Sequence, residues 1–111
     1  MKKILLLIFL SGLSVNAFAA PSGEDLLTAC EDSLANGFSS TRGMMCIWYV
    51  TPCDCNHGDK KKVPRVCLPD DASHVKLAKE VISGLKENPE FQAETAEMAA
   101  GLILAPKYPC D

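Results

Sequence analysis

The stretch Ser22–Gly37, with the sequence SGEDLLTACEDSLANG, decides the fold class. Ser22 and Asp25 have the three-residue spacing of a capping box, in which each side chain accepts a hydrogen bond from a free backbone amide at the start of a helix. Asn36-Gly37 is typical of a helix end. Between them, an apolar face alternates with an acidic face at helical spacing, which predicts an amphipathic helix. The apolar residues are Leu26, Leu27, Cys30 and Leu34, and the acidic residues are Glu24, Asp25, Glu31 and Asp32.

The next segment, Met44–Val50, is a continuous apolar run that fits either a buried strand or a buried helix. We predict a helix because the neighbouring segments are helical, with Ser40 or Thr41 as its N-cap. Trp48 is the single tryptophan, and we expect it to anchor the core. Residues Thr51–Val66 are rich in proline, glycine and polar residues, which predicts a surface loop.

Two further helices are predicted towards the C-terminus. The third begins in Leu68-Pro69-Asp70-Asp71 and ends at Asn88-Pro89, and the fourth runs from Glu90 to Leu104. The sequence therefore predicts an all-α, four-helix bundle-like domain. The predicted inner face of the third helix comprises Val75, Ala78, Val81, Ile82 and Leu85, and that of the fourth comprises Phe91, Thr95, Met98, Ala99, Leu102 and Ile103.

Residues 1–19 have the pattern of a secretory signal peptide: Lys2-Lys3, the apolar run Ile4–Leu10, and the small-residue site Ala17-Phe18-Ala19. Cleavage after Ala19 would leave a domain of residues 20–111. The apolar run is far shorter than the roughly 20 residues that span a bilayer, so we predict no membrane anchor. Loss of the two lysines changes the net charge from −3 to −5. An acidic exported domain is a poor ligand for nucleic acid or anionic membranes, and a basic or neutral protein partner is more natural.

All six cysteines lie in residues 20–111, which indicates a disulfide framework in an oxidising compartment. Six cysteines allow fifteen pairings, and their spacing does not choose among them. The cysteines are Cys30, Cys46, Cys53, Cys55, Cys67 and Cys110.

The cluster Cys53-x-Cys55-x-His57 also suggests a metal site. Structural zinc normally needs four ligands with wider cysteine spacing, and the other histidine, His74, lies at the predicted third helix. A catalytic thiol would need to stay reduced, which an oxidising compartment disfavours. Disulfide bonding is therefore the preferred interpretation of Cys53 and Cys55. We predict no catalytic residue, no cofactor and no metal, and hence no enzyme.

The order of several motifs resembles a known family. Gly43-x-x-Cys46-Ile47-x-Tyr49-Val50 is followed by Val66-Cys67-Leu68-Pro69, then by Leu85-x-x-x-Pro89-Glu90, and finally by Tyr108-Pro109-Cys110. Together with the helical Cys30, this order is similar to that of the immunity proteins of type VI secretion amidase effectors. More closely, the chain resembles the branch that neutralises the fourth amidase effector family, also called resistance-associated proteins, and the resemblance covers about Leu26 to Cys110.

The resemblance implies an all-α periplasmic homodimer that binds a papain-like cysteine amidase, forms a heterotetramer with it, and covers its substrate cleft. In the family the third and fourth helices supply much of the effector and dimer contact, here Asp70–Asn88 and Glu90–Leu104. The resemblance also implies a Cys67–Cys110 bridge and, next, a Cys30–Cys46 bridge. The chain departs from the family pattern at Cys53-Asp54-Cys55, so the third bridge stays open.

Outward glutamates on the last two helices are the predicted partner contacts, with simple solvation of the surface as the alternative. These residues are Glu80, Glu87, Glu94 and Glu97. A last helix rich in alanine supports the dimer because small side chains permit close packing; its alanines are Ala93, Ala96, Ala99 and Ala100. Two other functions stay open: a small periplasmic metal- or redox-handling protein that uses Cys53, Cys55 and His57, and a generic exported adaptor.

Overall fold

The computed structural model describes residues 20–52 and 63–110, which form four α-helices and one 3₁₀ helix. In this part of the chain there is no strand, and the only β-type pairing is an isolated antiparallel bridge between Ser22 and Thr95. The predicted all-α class is confirmed. The elements are α1 (Gly23–Asn36), α2 (Thr41–Val50), α3 (His74–Glu87), the 3₁₀ helix (Pro89–Ala93) and α4 (Ala96–Leu104).

Each α-helix begins behind a hydroxyl side chain that accepts a hydrogen bond from a backbone N–H three residues further on. Ser22 does so in a complete capping box with Asp25, and Ser40 caps α2. Ser73 and Thr95 do the same for α3 and α4. Such a cap stabilises a helix by about 1 kcal/mol relative to alanine. At its other end α1 stops at Gly37, whose φ of 98° suits glycine.

Two predicted helix starts are wrong. The third helix begins at His74 rather than near Asp70, because Asp70 and Asp71 lie in a turn closed by Ala72 N–H and Pro69 O, 3.1 Å apart. The predicted fourth helix is two elements, a 3₁₀ helix and α4, because Thr95 acts as an N-cap instead of an inner-face residue.

The core is built around small residues of α4. Ala96, Ala99, Ala100 and Gly101 are buried there, so three of the four alanines that supported a dimer pack inside the protomer. The large buried side chains come from α1, α2, α3 and α4: Leu26, Val50, Leu77, Val81, Leu85 and Leu104.

Helices α3 and α4 approach closely at Gly84. A Cβ atom added to Gly84 would lie 2.6 Å from Cγ2 of Ile103, closer than real Cβ contacts allow. Leu77 is fully buried on the same helix although the predicted stripe omitted it, whereas Val75 of that stripe is exposed.

The predicted core anchor is wrong: Trp48 is 74% exposed. Helix α2 packs through Gly43, Cys46 and Val50, and Trp48 lies on its opposite side. Met44, one turn before Trp48, is 61% exposed. The sole tryptophan therefore belongs to the surface of the protomer.

Two disulfides confirm the pairs that the resemblance implied. Cys30–Cys46 joins α1 to α2 inside the core, and Cys67–Cys110 joins the segment before α3 to the C-terminal tail. With sequence separations of 16 and 43 residues, the chain-entropy model gives about 3 and about 4 kcal/mol of stabilisation. Cys53 and Cys55 lie outside the described residues.

Candidate partner-binding surfaces

The first candidate surface is an acidic end formed by the N-termini of α1 and α4. Gly23 N–H donates to Glu94 O at 2.8 Å, and Ala96 N–H donates to Pro21 O at 2.9 Å, so the chain holds the two helix starts side by side. Carboxylates are favourable at helix N-termini because of the helix dipole. We call this surface the acidic end; its exposed carboxylates are Glu24, Asp25, Glu94 and Glu97.

The second candidate surface is an open groove of about 390 Å³ between α3 and the residues after α4. Lys76 and Lys79 of α3 face it together with Lys107, and two of the predicted contact residues, Glu80 and Glu87, lie among them. We call it the lysine groove. The structure therefore divides the four predicted glutamates into two pairs with opposite surroundings.

Glu80 makes a hydrogen bond within its own chain. The Tyr108 hydroxyl donates to Glu80 Oε1 at 2.8 Å, and the side chain of Glu80 is only 21% exposed. This hydrogen bond, followed by burial, raises the pKa of Tyr108 above its ordinary value near 10. Cys67 N–H also donates to Tyr108 O at 2.9 Å, beside the Cys67–Cys110 bridge. Glu80 thus helps to hold the tail against α3, which leaves Glu87 as the exposed carboxylate of the groove.

The sequence did not reveal the lysine groove because Lys107 is distant from α3 along the chain. The signal that could have found it is the Cys67–Cys110 pairing, which brings the tail back to the segment before α3. Another surface contact joins Lys86 of α3 to Glu31 of α1 at 2.8 Å. Exposed pairs of this kind contribute at most about 1 kcal/mol.

Of the residues weighed for metal or thiol chemistry, His74 is the one within the described residues. His74 is the first residue of α3, and its ring makes an edge contact with Phe38, with centroids 4.8 Å apart. Cys53, Cys55 and His57 lie outside the described residues. Within residues 20–52 and 63–110 there is no group of three or more possible metal ligands. No helix in these same ranges has the length and apolar character needed to cross a membrane.

The third candidate surface is the side of α2 that faces away from the core. We call it the outer face of α2, and it comprises Thr41, Met44, Trp48 and Thr51, all exposed. It is uncharged, unlike the acidic end and the lysine groove.

A family model of the Rap1a immunity proteins matches residues 22–110. The chain belongs to the Rap1a immunity protein family. The matched range begins at the N-cap of α1 and ends at the last cysteine, so it contains all four helices and both described disulfides. Neither curated proteins nor solved structures give a match. As a member of this family, the chain is an immunity protein that binds a cognate type VI secretion effector.

Proposed function

We propose that this immunity protein is exported to the periplasm, loses residues 1–19, and binds a papain-like cysteine amidase effector that cuts peptidoglycan. Covering the substrate cleft of the amidase would protect the producing cell and its siblings. Membership of the immunity family over residues 22–110 carries the proposal. The Lys2-Lys3 and Ile4–Leu10 pattern supports export, and so do the two disulfides, which form in oxidising compartments.

Inhibition by occlusion needs a rigid surface and no catalytic group. Cys30–Cys46 ties α1 to α2, and Cys67–Cys110 ties the tail to the segment before α3. A chain held in this way loses little conformational freedom when it binds, so more of the contact energy appears as affinity. We further propose that the protein acts as a homodimer, giving a heterotetramer with two effector molecules.

The acidic end is the proposed site that meets the effector. Glu94 and Glu97 are exposed there and stand beside two further carboxylates, Glu24 and Asp25. Four carboxylates at one end attract a basic rim around a cleft and accelerate association. Glu87 is surrounded by lysines in the groove, and Glu80 is bound to Tyr108, so their contribution to this field is weaker.

Co-expression with a periplasm-targeted candidate amidase tests the proposed function. Cells that carry the full chain should survive induction of the amidase, whereas cells that carry residues 20–111 without the signal should lyse. An amidase with its catalytic cysteine replaced should be harmless in both strains. Lysis in the presence of full-length, correctly exported protein would show that the amidase is not its target.

A charge-reversal pair tests the acidic end. The double variant Glu94→Lys/Glu97→Lys should lower the association rate with the amidase by about tenfold at low salt, and the difference should shrink as salt is added. Glu87→Lys is the matched control in the lysine groove and should change the rate much less. Equal rates for the native chain and the double variant would place the contact elsewhere.

A further inference from the structure

The two described disulfides differ in their access to solvent. The Cys30–Cys46 bridge is fully buried between α1 and α2, whereas both cysteines of the Cys67–Cys110 bridge are partly exposed. Thiol–disulfide exchange begins when a thiolate attacks one sulfur of a bridge, so its rate depends on access to that sulfur. A reductant in solution therefore reaches Cys67–Cys110 in the folded chain, and it reaches Cys30–Cys46 only after the core opens.

The exposed bridge joins two segments without helical structure, which we call the strap (residues 63–69) and the tail (residues 105–110). The strap crosses α4 at Gly101, where an added Cβ atom would lie 3.2 Å from side-chain atoms of both Val63 and Pro64. The strap thus has its own close contacts with a core helix. We therefore expect the tail, rather than the strap, to move when the bridge is opened.

Two hydrogen bonds connect the tail to other segments, and both are made by Tyr108. Its carbonyl oxygen accepts from Cys67 N–H at 2.9 Å, and its hydroxyl donates to Glu80 Oε1 at 2.8 Å. Lys107, the neighbour of Tyr108, lines the lysine groove. A chain end makes such bonds only while it is kept near its partners, because ordering it costs conformational entropy. The bridge at Cys110 keeps it there, so loss of the bridge frees Tyr108 and withdraws Lys107 from the groove.

We propose that Cys67–Cys110 is a thiol–disulfide exchange site, which a dithiol reductant opens and a disulfide oxidant closes while Cys30–Cys46 stays bonded. In the open state the tail leaves α3 and the lysine groove loses Lys107, whereas the four helices keep their packing. The complete lysine groove is then a surface of the oxidised chain alone. The inference goes beyond the proposed function, because it holds whichever effector the chain binds.

Opening of the bridge is a two-electron reduction by thiol–disulfide exchange. The first thiol of the reductant loses its proton and attacks one sulfur of the bridge, which breaks the S–S bond and releases the other cysteine as a thiolate. That thiolate takes up a proton. The second thiol of the reductant then displaces the remaining cysteine from the mixed disulfide in the same way. The products are the thiols of Cys67 and Cys110 and the disulfide of the reductant, so the chain gains two electrons and two protons.

Stepwise reduction of the purified exported chain tests the order of opening. The oxidised chain is incubated with dithiothreitol without denaturant, and its thiols are alkylated at intervals and assigned by peptide mass spectrometry. The cysteines of Cys67–Cys110 should be alkylated about a hundredfold faster than those of Cys30–Cys46, because a buried bridge reacts only from a rarely populated open state. Circular dichroism should show unchanged helix content while Cys67–Cys110 opens. The variant Cys53→Ser/Cys55→Ser, which lacks the two remaining cysteines, should give the same order.

Hydrogen exchange tests whether opening releases the tail. In Cys67→Ser/Cys110→Ser the N–H of residue 67 should exchange at least about tenfold faster than in the oxidised native chain, because its acceptor on Tyr108 is no longer held in place. Gly23 is the matched control, since its N–H also joins two segments, through Glu94 O at 2.8 Å, but does so at the other end of α4. Exchange at Gly23 should not change.

Three results would overturn the proposal. Cys30–Cys46 could be reduced as fast as Cys67–Cys110, or helix content could fall as Cys67–Cys110 opens, which would make this bridge part of the core. In the third, residue 67 stays equally protected in Cys67→Ser/Cys110→Ser, so that noncovalent contacts alone hold the tail. None of these results bears on whether the chain protects cells from an amidase, which the co-expression test measures separately.

Discussion

The inner side of α4 and the outer face of α2 are both apolar helix surfaces, but they differ in burial. The inner side of α4 consists largely of alanine and glycine and is buried, whereas the outer face of α2 carries a methionine and a tryptophan and is exposed. Small side chains let backbones approach closely, so α4 can contact α1, α2 and α3 at once. Large side chains are buried where their side of a helix faces the core, as Leu104 of α4 is, whereas Trp48 lies on the side of α2 that faces away from it. In this domain burial follows the side of the helix on which a residue lies rather than the size of its side chain.

Truncation on the inner side of α4 should have the largest effect on stability. Leu104 is fully buried, so Leu104→Ala removes apolar contacts and leaves a cavity. We expect the free energy of unfolding to fall by about 3 kcal/mol, within the range of such core truncations. Urea unfolding followed by circular dichroism measures the change with the disulfides intact. A loss below 1 kcal/mol would show that α4 is not packed as described.

Addition of one methyl group where α3 and α4 approach most closely should have the second largest effect on the free energy of unfolding. In Gly84→Ala the new Cβ meets the side chain of Ile103, so that side chain or one of the two helices must shift. Overpacking of this kind costs about 1–3 kcal/mol. Ser83→Ala is the control, because Ser83 is exposed on the same helix and its replacement should have little effect. If Gly84→Ala instead stabilised the protein, helix propensity would outweigh the contact with Ile103.

The same two regions show how far sequence alone could predict the structure. The predicted capping box at Ser22 and Asp25 and the predicted helix end at Gly37 are confirmed, because helix caps depend on residues that are neighbours in the chain. The prediction that Trp48 lies in the core is wrong, because the residues of an apolar helix do not indicate which of its sides meets the core. The pairing of the tail with α3 through Tyr108 and Glu80 likewise needs the folded chain, and only the Cys67–Cys110 pairing pointed from the sequence to the lysine groove.

Removal of the hydroxyl that anchors the tail after α4 should have a smaller and pH-dependent effect. Tyr108→Phe loses the hydrogen bond to Glu80, which costs about 1 kcal/mol at neutral pH. In the fold the pKa of Tyr108 is raised, so its neutral form is favoured. This stabilisation is fully present below the unfolded value near 10 and is lost as the pH rises through the folded value. Unfolding at pH 8 and above pH 10 should therefore show the native chain losing its advantage over Tyr108→Phe, and a constant difference would contradict the assignment.

The smallest effect on the protomer is expected at its largest side chain. Trp48→Ala removes few intramolecular contacts, so unfolding of dilute protein should change by no more than about 0.5 kcal/mol. Urea unfolding of dilute protein, followed by circular dichroism, measures the change. A loss above 1 kcal/mol in dilute protein would show that Trp48 packs in the core, so that the outer face of α2 and the inner side of α4 would no longer differ in burial.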